Sequence, residues 1–175
     1  MKAPIERCVL IGLPGAGKSS VGAALARDLG WRFVDIDSEI MRITGRSVAD
    51  VFRSDGEAAF RAMEARLTAE LSSQAEVVLA PGGGWAARPG ALEALPAGTV
   101  TVWLRVSPEE AIRRLGGSPL ERPLLAGADP LDTVRRLSLV RNEYYSRADL
   151  HVDVDGRATE EISRTISEWL RRNIS

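Results

Sequence analysis

Apolar residues arrive along this chain in short runs separated by longer segments of helical period, an alternation that predicts a parallel α/β domain. The run Cys8-Val9-Leu10-Ile11 suits a buried strand, and from Ser19 to Leu29 the positions Val21, Ala24, Leu25 and Leu29 share one helical face before the stop signal Gly30. Arg32 to Asp37 reads as a second strand whose period of two puts Asp35 and Asp37 on the same side. Ile40 to Thr44, Val48 to Phe52 and Glu57 to Leu71 then read as helices broken at Gly45-Arg46 and Asp55-Gly56. In the third of these Phe60, Met63, Leu67 and Leu71 form the apolar face, with Arg61 and Glu64 three apart on a neighbouring one.

Glu76 to Ala80 is the third strand, Thr99 to Val106 the fourth and Leu150 to Val154 the fifth. Ser107-Pro108-Glu109-Glu110 opens a helix with an N-cap, an early proline and acids near the positive dipole end, running to Gly116. Residues 116 to 129, rich in proline and glycine at their start, predict a lid loop carrying Arg122. In the following helix Val134, Leu137, Arg141, Tyr144 and Ala148 make an inward stripe, so Arg141 occupies a buried position. Ile162, Ile166, Trp169 and Leu170 face inward from a last helix after the turn Asp155-Gly156-Arg157.

Composition narrows the class. With 175 residues at 45% hydrophobic content, one compact domain over 1–175 is expected, with a helical insertion at about 37–71. The 23 basic and 24 acidic side chains leave a net charge of −1, which gives no global field favouring nucleic acid or an anionic membrane. Cys8 and His151 each stand alone in their type, so neither a disulfide framework nor a Cys/His metal site is expected. The first seven residues carry no apolar leader and no later run approaches membrane-spanning length, so a soluble cytoplasmic monomer is the expectation.

The chemistry begins at Gly12-Leu13-Pro14-Gly15-Ala16-Gly17-Lys18-Ser19, between the first strand and the first helix. This spacing lets successive backbone amides turn inward around nucleotide phosphates at a helix N-terminus, with Ser20 just inside it. Lys18 is placed for the β- and γ-phosphates and the Ser19 hydroxyl for Mg²⁺; Lys2 is the sole other lysine in an arginine-rich chain. Asp35 and Asp37 emerge at the same carboxyl edge of the sheet, where open α/β sheets bind ligands. Asp35 is thus a candidate for outer-shell Mg²⁺ binding and Asp37 for orienting or deprotonating a substrate hydroxyl, unless Asp37 is an N-cap and Asp35 an ordinary strand-end acid. Pro81 is followed by Gly82-Gly83-Gly84-Trp85, which suits close approach of backbone to a small ligand or else a plain turn. Arg122 suits transferring phosphate, or a surface charge. Arg141 requires a partner, either a core carboxylate or a planar carboxylate on a substrate, and Arg61 pairs with Glu64 on the surface or joins it.

Together these features resemble the shikimate kinase family over nearly the full chain. The resemblance is carried by Gly12 to Ser19, Phe33 to Asp37, Gly56-Glu57 with Phe60-Arg61 and Glu64, Gly82 to Gly84, Arg122-Pro123-Leu124-Leu125, and Arg141 with Tyr145. It implies a three-layer P-loop kinase fold, a five-stranded parallel sheet flanked by helices. It implies transfer of the ATP γ-phosphoryl group to the 3-hydroxyl of shikimate, in aromatic amino-acid biosynthesis, with one Mg²⁺. Carried over by position, Asp37 activates the hydroxyl, and Arg61 and Arg141 hold the carboxylate beside Gly82, Gly83 and Gly84. Lys18 and Arg122 stabilise the phosphates, Ser19 and Asp35 serve the metal, and Arg114 and Arg157 flank adenine. Pro81 and Trp85 depart from the family's pattern, and the indole is expected either to narrow the pocket or to pack away from it. The rival readings are a related kinase for gluconate or a nucleoside monophosphate, and a non-catalytic ATP-binding regulatory module.

Overall fold

The computed structural model describes residues 4–116 and 129–173. Its five strands, β1 (Arg7–Ile11), β2 (Arg32–Asp35), β3 (Val77–Ala80), β4 (Thr99–Arg105) and β5 (Leu150–Asp153), pair in parallel in the order β2-β3-β1-β4-β5. The register sets Val9 beside Leu79 on one side and Thr101 on the other. Successive strand residues face opposite sides of a sheet, yet every residue of β3 is buried, and so are Cys8 to Ile11 in β1. Both faces of the sheet are therefore covered, as a parallel sheet requires.

The cover is α1 (Lys18–Leu29), α5 (Pro108–Leu115), α6 (Pro130–Tyr145) and α7 (Thr159–Asn173), with α1 packed on α7 and α5 on α6. The helix α1 lies close over β2 because position 22 has no side chain. A Cβ on Gly22 would stand 2.2 Å from the Phe33 ring. Between β2 and β3 the chain forms α2 (Ile36–Thr44), α3 (Val48–Asp55) and α4 (Glu57–Leu71), which pack on one another as the expected helical insertion. One apolar cluster runs from Cys8 to Leu170 through all these layers.

Four sequence expectations are changed or decided. The second strand stops at Asp35, whose carboxylate accepts the Ser38 N–H at 2.9 Å and caps α2, so Asp37 lies in the first helical turn and not on a strand. The inward stripe of α6 runs through Val134, Arg141 and Tyr145; Tyr144, one residue off the helical period, is only partly covered. Trp85 is buried in the core cluster and takes no part in the cavity lining, which resolves the two readings of that indole. Asp129, expected at the end of the lid, caps α6, and the body of that loop with Arg122 lies outside the described residues.

Candidate active site

At the carboxyl ends of β1, β2 and β3 the loops open on a cavity of about 1260 Å³. One wall is the loop between β1 and α1. Its turn needs backbone angles that a Cβ opposes: Gly15 has φ of 83°, and its Cβ would meet the Ala111 carbonyl at 2.5 Å. Gly17, at φ 88°, is the N-cap of α1 and offers no side chain to the first helical amides, which leaves them to a ligand. Pro14, Gly15, Gly17, Lys18, Ser19 and Ser20 line the cavity. Gly12, Leu13 and Ala16, expected in the phosphate site, are buried beneath it and do not line it. Lys18 Nζ donates to the carbonyls of Gly12 at 2.8 Å and Leu13 at 2.9 Å, which folds the ammonium over its own loop.

Asp35 joins this wall to the next. One carboxylate oxygen caps α2 while the other accepts the Ser19 hydroxyl hydrogen bond. That leaves a hydroxyl oxygen backed by a carboxylate at the first turn of α1, a hard-oxygen pair suited to a divalent cation that takes its other ligands from phosphates and water. No group of three or more His, Cys, Asp or Glu side chains among the described residues forms a self-sufficient metal site. Asp37, two residues beyond Asp35 in the first turn of α2, lines the same cavity.

The far wall is the glycine triplet, walled in by three charged side chains. Added Cβ atoms would meet Glu64 Oε1 at 2.3 Å from Gly82, Arg141 Nη1 at 2.9 Å from Gly83 and Arg61 Cζ at 3.0 Å from Gly84. The triplet thus serves close approach, but of these side chains to the floor. Arg61 donates to Glu64 at 3.1 Å, lies 3.5 Å from Glu57, and has the Phe52 and Phe60 rings 5.9 and 5.5 Å from its guanidinium. Glu64 is completely buried, so the surface ion pair is excluded. Arg141 is 6% exposed, and its Nη1 atom has no hydrogen-bond partner among the described residues; Glu64 Oε1 is in the same position. Burial pushes the Tyr145 phenol up to about 12 against the opposing pull of Arg141, so it remains protonated.

At the other end of the cavity Arg114 donates to Glu110 at 2.8 Å and to carbonyls of Ala16 and Val154. Arg157 is tied to Glu161 at 2.8 Å, the Asp153 carbonyl at 3.0 Å and Thr165 at 2.8 Å. Each of their guanidinium nitrogens donates once to the protein, which holds the planes in place and leaves flat faces that suit a ring. The paired Arg113, then Arg114, hold the Glu110 carboxyl down at about 2. Every predicted side chain among the described residues that can carry chemistry therefore reaches this one cavity. The residues that sequence reasoning underused are Glu64 and Tyr145. Glu64 continues the spacing Phe60, Glu64, Leu67, Leu71 of a buried stripe, and Tyr145 follows Arg141 by four, so both had a signal.

Residues 14–171 match the family model described as shikimate kinase. A shikimate kinase of Synechococcus sp. is 41% identical over 161 residues, covering 92% of this chain and 82% of the relative. One from Thermus thermophilus is 41% identical over 170 residues, 97% of this chain and 92% of the relative. Among solved structures, that of the shikimate kinase from Acinetobacter baumannii in complex with shikimate superposes with a TM-score of 0.91 at 32% identity, covering 97% of this chain and 94% of that one.

Proposed function

The chain belongs to the shikimate kinase family, and from that premise we propose how its residues divide the transfer of the ATP γ-phosphoryl group to the 3-hydroxyl of shikimate. The observation that carries the reading is a buried arginine nitrogen without a hydrogen-bond partner among the described residues, Arg141 Nη1, beside the same glycine floor as Arg61, in the cavity that also holds the phosphate loop. Two guanidiniums at one floor fit the planar carboxylate of the acid.

In this assignment ATP lies with its phosphates over Gly12 to Ser20 and its base between Arg114 and Arg157. Lys18 leaves the Gly12 and Leu13 carbonyls for the β- and γ-phosphates. Ser19, oriented from behind by Asp35, would hold Mg²⁺, and Asp35 would serve it as an outer-shell carboxylate. The metal supplies neutralisation of β- and γ-phosphate charge. Arg61, Arg141 and the amides of Gly82 to Gly84 fix the acid, so that its 3-hydroxyl faces Asp37. Asp37 accepts the hydroxyl proton as the oxygen attacks the γ-phosphorus in line, the bond to ADP breaks, and the phosphate ester forms. Arg122, in the segment 116–129, adds positive charge to the transferring group.

The test is ADP release with Mg²⁺ and ATP, with shikimate, gluconate and nucleoside monophosphates offered in parallel. Strong release with shikimate alone, lost in Lys18→Ala, is the expected result. Release with gluconate or a nucleotide in its place would give the site to one of those acceptors, and tight ATP binding without release to any would make the protein a regulatory module.

A further inference from the structure

One buried hydroxyl outside the reacting groups holds the glycine floor in place. Tyr145, at the end of α6, is fully buried and its hydroxyl donates to the Gly83 carbonyl. The ring cannot swing away, because Trp103 on β4 lies against it at 5.8 Å between centroids, and Trp103 is itself backed by the His151 ring at 5.1 Å from the paired strand β5. No peptide bond among the described residues is cis, and in a planar trans peptide the C=O and N–H point to opposite sides. The hydrogen bond at the Gly83 oxygen therefore also fixes the Gly84 N–H, which points away from Tyr145. Among the described residues no acceptor takes that N–H, and Gly84 lines the cavity. The same peptide unit is flanked by Arg141 on the Gly83 side and Arg61 on the Gly84 side.

We propose that Tyr145 is a positioning residue for acid recognition: by anchoring the Gly83 carbonyl it aims the Gly84 N–H into the cavity, between the two arginines that take the substrate carboxylate. This assignment rests on the shikimate reading. Tyr145 touches no reacting atom; it acts through the groups its hydroxyl meets, the Gly83 carbonyl and the Arg141 guanidinium, so its loss weakens capture of the acid and leaves the transfer step and ATP binding as they were.

Tyr145→Phe keeps the ring and removes only the hydroxyl. The KM for shikimate should rise about fivefold, the scale of one aligned hydrogen bond, with kcat and the KM for ATP within about twofold of wild type. Tyr144→Phe, at the half-exposed neighbour whose ring lies 5.5 Å from the Arg147 guanidinium, should leave all three unchanged. In ¹H–¹⁵N spectra of the ligand-free protein the Gly84 amide resonance should move in Tyr145→Phe while those of Gly15 and Gly17 stay. A shikimate KM within about twofold of wild type overturns the role, as does a rise in both KM values that follows a lowered Tm. If wild-type protein fails to phosphorylate shikimate, the functional reading falls by itself; an unmoved Gly84 amide is the result that then overturns the anchoring.

Discussion

A guanidinium nitrogen buried without a hydrogen-bond partner carries a desolvation cost that a bound anion removes, and among the described residues Arg141 Nη1 is in that position beside the glycine floor. Asp37 serves the opposite need, a carboxylate in the first turn of a helix facing the same space. The two residues should separate kinetically. Asp37→Asn should lower kcat by about a hundredfold or more with ATP affinity preserved. Arg141→Ala should raise the KM for the acid by about thirtyfold or more with a smaller change in kcat. Steady-state kinetics with both substrates varied distinguishes these outcomes, and an unchanged acid KM with a lowered Tm would make Arg141 a core residue only. At this scale the sequence was legible where type and spacing coincide, as at Lys18, Ser19 and Arg141. It was less so at Glu64, because a glutamate three residues from an arginine on a helix reads first as a solvent-facing pair, and only the packing of α4 against the floor after β3 buries it completely.

At the scale of elements, two kinds of glycine do different work. Gly22 lets α1 approach Phe33, whereas Gly83 leaves room for Arg141 Nη1, and a Cβ would meet these neighbours at 2.2 and 2.9 Å respectively. Gly22→Ala should therefore lower the unfolding free energy by about 1–3 kcal/mol, the usual cost of overpacking, and leave both KM values near wild type. Gly83→Ala presses on Arg141 Nη1 and also on the Gly12 carbonyl at 3.0 Å, so it should raise the acid KM together with a fall in the urea midpoint. Denaturant titration and kinetics on the same preparations check both. Element existence and order were legible from periodicity, since every expected strand and helix outside 116–129 is present. The exchange of roles between Asp35 and Asp37 was not, because strand and helix signals overlap at Asp35-Ile36-Asp37, and the cap formed with Ser38 decides the boundary.

At the scale of the whole molecule, ionisable groups set the pH range of stability. Arg113 and Arg114 hold Glu110, and Arg46 with Ser54 holds Asp55, at about 2. A carboxyl with a depressed folded pKa contributes stability above its unfolded value near ~4, and this is lost as pH falls through the folded value. Burial raises the Cys8 thiol and the Tyr145 phenol to about 12. Their contribution is complete below the unfolded values, near ~8.5 and ~10, and is lost as pH rises toward the folded ones. The Tm should thus be level from about pH 5 to 8 and fall on both sides, and Cys8→Ala should flatten only the alkaline fall. A maximum displaced well outside that range would contradict the assignment of these groups.

The covering of both sheet faces, the phosphate loop, the two arginines and Asp37 converge on one chemical event, formation of a phosphate ester at one hydroxyl of shikimate. The most direct test is ³¹P–¹H correlation of the product made from ATP and shikimate by the wild-type protein. The phosphorus should couple to the proton on carbon 3, with one ADP formed per ester and no ester in Lys18→Ala. Coupling to the proton of another carbinol carbon, or ADP formed without an ester, would contradict the placement of the acid between Arg61, Arg141 and Asp37.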